Sequence, residues 1–291
     1  MTLHSERMRT EPVTAYAEDH ISARNFDRLA RFIYDYSGIK MPPTKQTMLE
    51  GRLRRRLRVT GISSFDDYCA YLFNEDGLAD ETVYLIDAVT TNKTDFFREP
   101  NHFKYMAEYA LPDLEREHSG RRLRIWSAAC STGAEPYTLA MVMENHAEKA
   151  SRTNYSILAT DLSTEVLETA RRGIYPEDMV EPVPADLRQR FVMQAVDPKR
   201  REIRVSPQLR SKIGFARLNL MDKSYTVGDP MHIVFCRNVL IYFDKATQQH
   251  VLSKLCDCLV PGGYLFIGHS ETVSGLNLPI RQVANTVFKK T

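Results

Sequence analysis

The sequence predicts an α/β sheet domain with a small antiparallel β-insertion, preceded by an all-helical N-terminal unit. Three observations carry that prediction. Apolar residues recur at helical spacing up to about residue 90. Beyond residue 120, short apolar runs alternate with helix-like segments, the pattern of a parallel sheet covered by helices. Between residues 174 and 212 that rhythm breaks into proline-punctuated alternating pieces. The chain's 291 residues allow about two domains at roughly 150 residues each. Its 43% of hydrophobic residues is enough for a full core.

In chain order, residues 1–20 lack periodicity and are expected to form a mobile tail. From Ser22 onward, Phe26, Leu29, Ala30 and Ile33 share one helical face, with Gly38 as a stop. A second helix is expected to begin near Pro43, with Leu49, Leu53 and Leu57 spaced four apart. Ser64, followed three residues on by Asp67, is placed to cap a third, whose stripe is Phe65, Tyr68, Cys69 and Leu72. A fourth runs from about residue 80 to 90. The helical domain is therefore set at 21–90, a linker with a connecting helix at 91–120, and the sheet domain at 121–291. Buried strands are expected at 123–129, 155–160, 232–236 and 264–268, with helices at 136–145 and 164–171 between the first three. Within 174–212, Pro176, Pro182, Pro184, Pro198 and Pro207 interrupt any long helix. The alternation of Ile203 and Val205 there specifies antiparallel strands, not another crossover helix.

The formal net charge is only +2, which argues against a whole-molecule nucleic-acid or membrane binder. The richest apolar stretch, 233–243, is broken by Arg237 and Asn238 and falls short of the roughly 18 residues a membrane span needs. The opening MTLHSERMRTEP holds no apolar segment, so no secretory signal and a cytoplasmic location are expected. Cys69, Cys130, Cys236, Cys256 and Cys258 are scattered, and one C-x-C is a weak metal signal. Free thiols and no metal site are expected.

A ligand of an open parallel sheet lies beyond the C-terminal ends of its strands. After the first strand comes Ser127-Ala128-Ala129-Cys130-Ser131-Thr132-Gly133-Ala134-Glu135-Pro136, whose small residues and glycine let the backbone turn tightly and approach a ligand. The absence of G-x-G-x-x-G gives no support for a pyrophosphate cradle. After the second strand comes Asp161, whose carboxylate can accept hydrogen bonds from both hydroxyls of a ribose. It can equally serve as a helix N-terminal acid near Ser163. Together these residues indicate a nucleoside ligand without phosphates, S-adenosylmethionine more than a dinucleotide.

Four segments then carry a family resemblance: residues 90–99 (TTNKTDFFRE), 127–137 (SAACSTGAEPY), 235–243 (FCRNVLIYF) and 268–271 (GHSE). Together and in this order they resemble the chemotaxis receptor methyltransferases, the CheR family, over nearly everything from Phe26 onward. The resemblance implies a class I, Rossmann-like S-adenosylmethionine methyltransferase domain with an inserted β-subdomain behind a helical domain. It implies that Asn92, Thr94 and Arg98 reach the cofactor from the linker, and that Glu135 and Asp161 hold its amino-acid and ribose portions. Asn219 and Leu220 would flank the adenine, with Arg237, Asn238 and Tyr242 at the floor. Ala134 stands where many relatives carry a second acid, so the contact is assigned to Glu135. Arg98 has a second reading as a salt-bridge partner of Glu99 or of a sheet-domain carboxylate, and Tyr242 one as a structural hydroxyl.

The substrate that the resemblance implies is a glutamate side chain on a chemoreceptor's cytoplasmic helices. That carboxylate, with a free pKa of about 4.3, is already ionised at neutral pH and needs no general base. Arg98 and Tyr242 are the catalytic candidates, Arg98 by positioning the carboxylate. The helical unit segregates its charges. From 40 to 60, Lys40, Lys45, Arg52, Arg54, Arg55, Arg56 and Arg58 stand against Glu50 alone, a net +6. From 61 to 90 there are seven acids and no Lys or Arg. No aromatics interleave the arginines, so an acidic receptor surface fits them better than nucleic acid. A receptor C-terminal tail could add to the inserted subdomain, and a monomer without membrane insertion is expected. Two other classes stay open: a class I methyltransferase acting on RNA or a small molecule, and a non-catalytic receptor-binding adaptor.

Overall fold

The computed structural model describes residues 19–149 and 154–291. The tail expected over residues 1–20 lies outside the described residues up to residue 18. The chain divides into two compact units, one of residues up to 34 with 41–89, the other of residues 35–40 with 90–291.

The first unit is helical: α1 (Ala23–Ser37, its last three residues grouping with the second unit), α2 (Gln46–Thr60), α3 (Phe65–Asn74) and α4 (Leu78–Val89). The start expected at Pro43 is a 3₁₀ turn, Pro43–Lys45, ahead of α2. Leu49, Leu53 and Leu57 are fully buried on α2, and Phe65, Tyr68, Cys69 and Leu72 form the buried stripe of α3. Ser64 caps α3 by accepting the Asp67 N–H at 3.1 Å, and the Asp67 carboxylate accepts from the Ser64 hydroxyl at 2.7 Å. The charges segregated in sequence meet here. Arg56 on α2 makes a two-pronged pair with the buried Glu81 of α4 (Nε to Oε2, 3.1 Å), and Tyr68 Oη donates to the same carboxylate at 2.9 Å.

The second unit opens with α5 (Pro100–Tyr105) and α6 (Leu111–Glu117), joined by a π-helical turn at Met106–Ala110. Then follow β1 (Leu123–Ala128), α7 (Ala134–Lys149), β2 (Tyr155–Asp161) and α8 (Thr164–Arg172). Next come β3 (Ile174–Pro176), α9 (Ala185–Phe191), β4 (Val192–Gln194), β5 (Glu202–Val205), α10 (Pro207–Arg210) and β6 (Ile213–Arg217). The chain ends with β7 (Met231–Cys236), α11 (Lys245–Asp257), β8 (Leu259–Ile267), β9 (Ile280–Ala284) and β10 (Val287–Lys290). The main sheet has the order β6-β2-β1-β7-β8-β10-β9, parallel through the first five strands and antiparallel at β10 and β9. β3, β5 and β4 form a separate antiparallel sheet in which Ile203 and Val205 are buried and Arg204 is exposed.

Period-two side chains put one core on each face of the main sheet. Ile125, Ile233, Phe235 and Phe266 join one, and Trp126, Val234, Cys236, Leu265 and Ile267 the other. Sequence periodicity did not single out β6, β9, β10 or α11, and it placed only the second half of β8. β8 begins with Leu259-Val260-Pro261-Gly262-Gly263, which reads locally as a turn, yet Leu259 pairs with Met231 before a register shift. All five cysteines are free.

Candidate active site

The order β2-β1-β7 places a topological switch at β1, because the chain leaves it toward β2 and returns on its other side at β7. The C-terminal ends of these strands open onto a cleft of about 970 Å³, its mouth included. Asn92, Thr94, Arg98, Glu135, Asp161, Asn219, Leu220, Arg237, Asn238 and Tyr242 all line it. Each belongs to the second unit, whereas Arg52, Arg54, Arg55, Arg56 and Arg58 lie on α2.

The loop before α5 is anchored by its two phenylalanines. Phe96 is fully buried, edge-on to Tyr175, and the Phe97 N–H donates to Thr138 Oγ1 at 3.1 Å. Ser131 Oγ donates to Asn92 O at 2.7 Å and so ties this loop to the one after β1. Arg98 is half-buried, and its Nη1 donates to Lys93 O at 3.1 Å.

The floor is an ionic network around Arg237, whose side chain is 2% exposed. Its guanidinium reaches Glu99 Oε2 at 3.0 Å and Glu135 Oε2 at 3.2 Å, and its carbon lies 5.4 Å from the Phe103 ring centroid. The partner considered for Arg98 is thus taken by Arg237, because the left-handed backbone of Glu99 (φ 57°) turns its carboxylate toward the β7 end. Glu135, in the first turn of α7, also accepts from Ser127 Oγ at 2.7 Å. Burial lifts the Glu135 carboxyl above its ordinary range, which Arg237 only partly offsets. Burial pushes Glu99 the same way, but there Arg237, Asn238 and the His269 N–H prevail and hold it below the usual carboxylate range. Two carboxylates on one guanidinium keep the floor's net charge negative when both are ionised.

At the end of β2, Asp161 accepts the Ser131 N–H at 2.7 Å and the Ser163 N–H at 3.0 Å. Asn219 lines the cleft with its side chain engaged at both ends, Nδ2 donating to Tyr36 O (2.6 Å) and Oδ1 accepting the Met221 N–H (3.0 Å). Leu220 is 7% exposed. Tyr242 is half-buried, and its carbonyl accepts the Lys40 N–H at 3.1 Å.

Sequence reasoning considered Glu99 only as a partner of Arg98 and gave no role to Glu271, although both lie in the quoted motifs. The Glu271 carboxylate, raised by burial, accepts N–H bonds from Gly268 (2.6 Å), Leu240 (2.7 Å) and Asn238 (3.1 Å). It thereby fixes the loop that carries Asn238 in a left-handed conformation (φ 59°). A Cβ at Gly268 would come within 2.9 Å of the Asn238 backbone nitrogen, so a larger residue there would displace this loop. The tight turn expected at Gly133 is present (φ 93°), but its missing Cβ makes room for Ala170 (2.8 Å) and Tyr175, not for a ligand.

A parallel sheet with its switch at β1, a carboxylate ending the second strand and a cleft over the strand ends define a class I S-adenosylmethionine methyltransferase domain. Residues 92–289 match the family described as CheR methyltransferase, SAM-binding domain, and residues 24–90 match the CheR methyltransferase all-alpha domain. The chain belongs to the CheR methyltransferase family. It is 37% identical to "Chemotaxis protein methyltransferase 2" of Pseudomonas aeruginosa, over 95% of this chain and 96% of that one. It is 39% identical to "Chemotaxis protein methyltransferase" of Escherichia coli, over 92% and 91%.

Proposed function

We propose that this chain transfers the methyl group of S-adenosyl-L-methionine to glutamate side-chain carboxylates on the cytoplasmic helices of chemoreceptors, giving glutamate methyl esters for sensory adaptation. The observation that carries this reading is the cleft itself, lined by Arg98, Glu135, Arg237 and, at the end of β2, Asp161, with the buried Arg237 paired to both Glu135 and Glu99. The residues suit the cofactor. Asp161 presents a carboxylate to the cleft for a ribose diol, Leu220 and Phe243 offer apolar contact to a base, and the acidic floor favours a ligand bearing an ammonium and a sulfonium. When bound, S-adenosyl-L-methionine supplies an electrophilic methyl group and leaves as S-adenosyl-L-homocysteine.

The residues' own part is binding and orientation. A glutamate carboxylate arrives ionised and needs no base, which agrees with a cleft lined by no histidine. Charge is annihilated when an anion meets a sulfonium, so a site that excludes water lowers the barrier. Arg98, held by one bond to Lys93 O, keeps further N–H groups to steer one carboxylate oxygen while the other attacks in line. Tyr242 borders the same space.

In this reading α2 meets the acidic receptor surface through the exposed Arg55 and Arg58, with Arg54 beside them, while Arg56 is occupied with Glu81 and Arg52 with Val89 O. A receptor tail would add to an outer strand of the β3-β5-β4 sheet, where Met193 is 50% exposed. The enzyme works as a cytoplasmic monomer. Among the described residues no helix is long and apolar enough to cross a membrane. The test is transfer of radiolabelled methyl groups into receptor-containing membranes, followed by mild alkali. Release of labelled methanol is expected. Alkali-stable label would instead indicate an RNA or small-molecule acceptor, and failure to bind the cofactor a non-catalytic adaptor.

A further inference from the structure

Next to Arg237, Glu99, His102 and His269 bring ligand atoms close to one another. His102, on α5, is 1% exposed. Its Nε2 lies 2.8 Å from Thr286 Oγ1, and that hydroxyl gives its own proton to Asn285 O at 2.8 Å. With that hydroxyl accepting from the ring, Nε2 carries the proton and Nδ1 presents a lone pair. Nδ1 has no hydrogen-bond partner and no access to water. It faces Glu99 Oε2 at 3.4 Å, and His269 Nε2 stands 4.0 Å from the same oxygen. All three ligand atoms lie within 4.8 Å of one another. Lone pairs turned toward each other in a buried place repel unless a cation lies between them.

We propose that Glu99 Oε2, His102 Nδ1 and His269 Nε2 form a binding site for a divalent transition-metal ion of the zinc type. Zinc takes nitrogen and oxygen ligands at about 2.0–2.2 Å, so tetrahedral neighbours sit roughly 3.3–3.5 Å apart. The Glu99–His102 spacing of 3.4 Å already meets that requirement. His269, with its side chain 38% exposed, needs a small torsional shift and leaves a solvent-facing fourth position for water. Two imidazoles with one carboxylate select zinc, cobalt or nickel over magnesium or calcium. Thr286 acts as the outer-shell group that fixes the His102 tautomer.

The charges around the site are opposed. Glu99 supplies the negative charge, while Arg237 Nη2, 3.0 Å from the same oxygen, repels a cation. A bound ion therefore competes with Arg237 for Glu99. Because Arg237 also holds Glu135, occupancy disturbs the methyl-transfer floor, and the ion acts as an inhibitor, not a cofactor.

The test is titration of the full chain with Co²⁺ alone, read by its visible d–d bands, with Zn²⁺ as displacing ion. One equivalent in low-coordinate geometry is expected. His269→Ala is expected to weaken binding by more than the roughly 10–100-fold that loss of an outer-shell partner costs. His269→Cys is expected to restore it and add a near-ultraviolet thiolate-to-cobalt band. The proposal is overturned by an unchanged spectrum in His269→Ala, by thiolate bands in the unmutated chain, or by absence of the d–d bands.

Discussion

Asp161 is 8% exposed and accepts one backbone N–H on each carboxylate oxygen, from Ser131 and from Ser163. The two readings of this residue are therefore compatible, because the same carboxylate that holds the loops also lines the cleft that a ribose would enter. That changes what its removal does. Asp161→Ala is expected to weaken S-adenosylmethionine and S-adenosylhomocysteine alike by about ten- to a hundred-fold, or roughly 1.5–3 kcal/mol. It is also expected to lower stability, since two N–H groups lose their acceptor. Calorimetry giving unchanged affinity with lowered stability would leave Asp161 a structural role only. Arg98 is tested by a different comparison. Arg98→Lys keeps the charge but loses the planar fork, so kcat is expected to fall further than cofactor affinity. Equal losses would make it a cofactor ligand. What the sequence hid is the true partner of Glu99 and the whole role of Glu271. Nothing in a one-dimensional motif says that Glu99 turns toward Arg237, 138 positions away, or that Glu271 gathers three N–H groups from two loops.

At the scale of elements, legibility followed burial. α2 and α3 were readable because leucines four apart, or a Ser-Asp cap ahead of an apolar stripe, mark them locally, and β1, β2 and β7 because they are almost continuously buried. β9 is half exposed, and α11 buries apolar residues only from Val251 onward, so neither shows a clear period. The charge segregation of α2 was visible, but its internal use was not. Arg56 and Glu81 are 13% and 6% exposed at the side chain, and Tyr68 shares the carboxylate. Removing one partner strands a buried charge, so Arg56→Ala is expected to destabilise the helical unit by about 3–5 kcal/mol in denaturant unfolding. Arg55→Glu and Arg58→Glu, both on exposed positions, are expected to fold normally and to raise KM for receptor without changing cofactor affinity. That effect should fade with salt, as exposed charges are screened over about 8 Å at physiological ionic strength. Receptor binding indifferent to both reversal and salt would move the contact off α2.

Across the whole molecule, the site depends on backbone conformations that no composition or periodicity reports. Phe97, Glu99, Ala129, Ser131 and Asn238, all on the loops that build the cleft, hold positive φ as non-glycine residues, and such strain persists only where surrounding structure fixes it. That fixing frame is the parallel sheet, and one of its internal bonds is sensitive to acid. His232, 7% exposed on β7, accepts the Arg124 N–H of β1 on Nδ1 at 3.1 Å, a bond possible only while that nitrogen carries no proton. Burial, with His118, Arg124 and Arg121 nearby, lowers its pKa from the usual 6.5 to about 4. The native state thus leaves His232 unprotonated through a window in which the unfolded chain takes up a proton. The stabilising contribution is complete above pH 6.5 and is lost progressively as the pH falls toward 4. Going from pH 7 to pH 5 should remove about 2 kcal/mol through this one group. His232→Asn offers an amide oxygen to the same N–H but cannot titrate, so its unfolding free energy should fall less over that interval. Chemical denaturation of both proteins at the two pH values reads the difference directly. Parallel losses in wild type and variant would mean that the β1–β7 junction does not sense pH, and that acid acts on the molecule elsewhere.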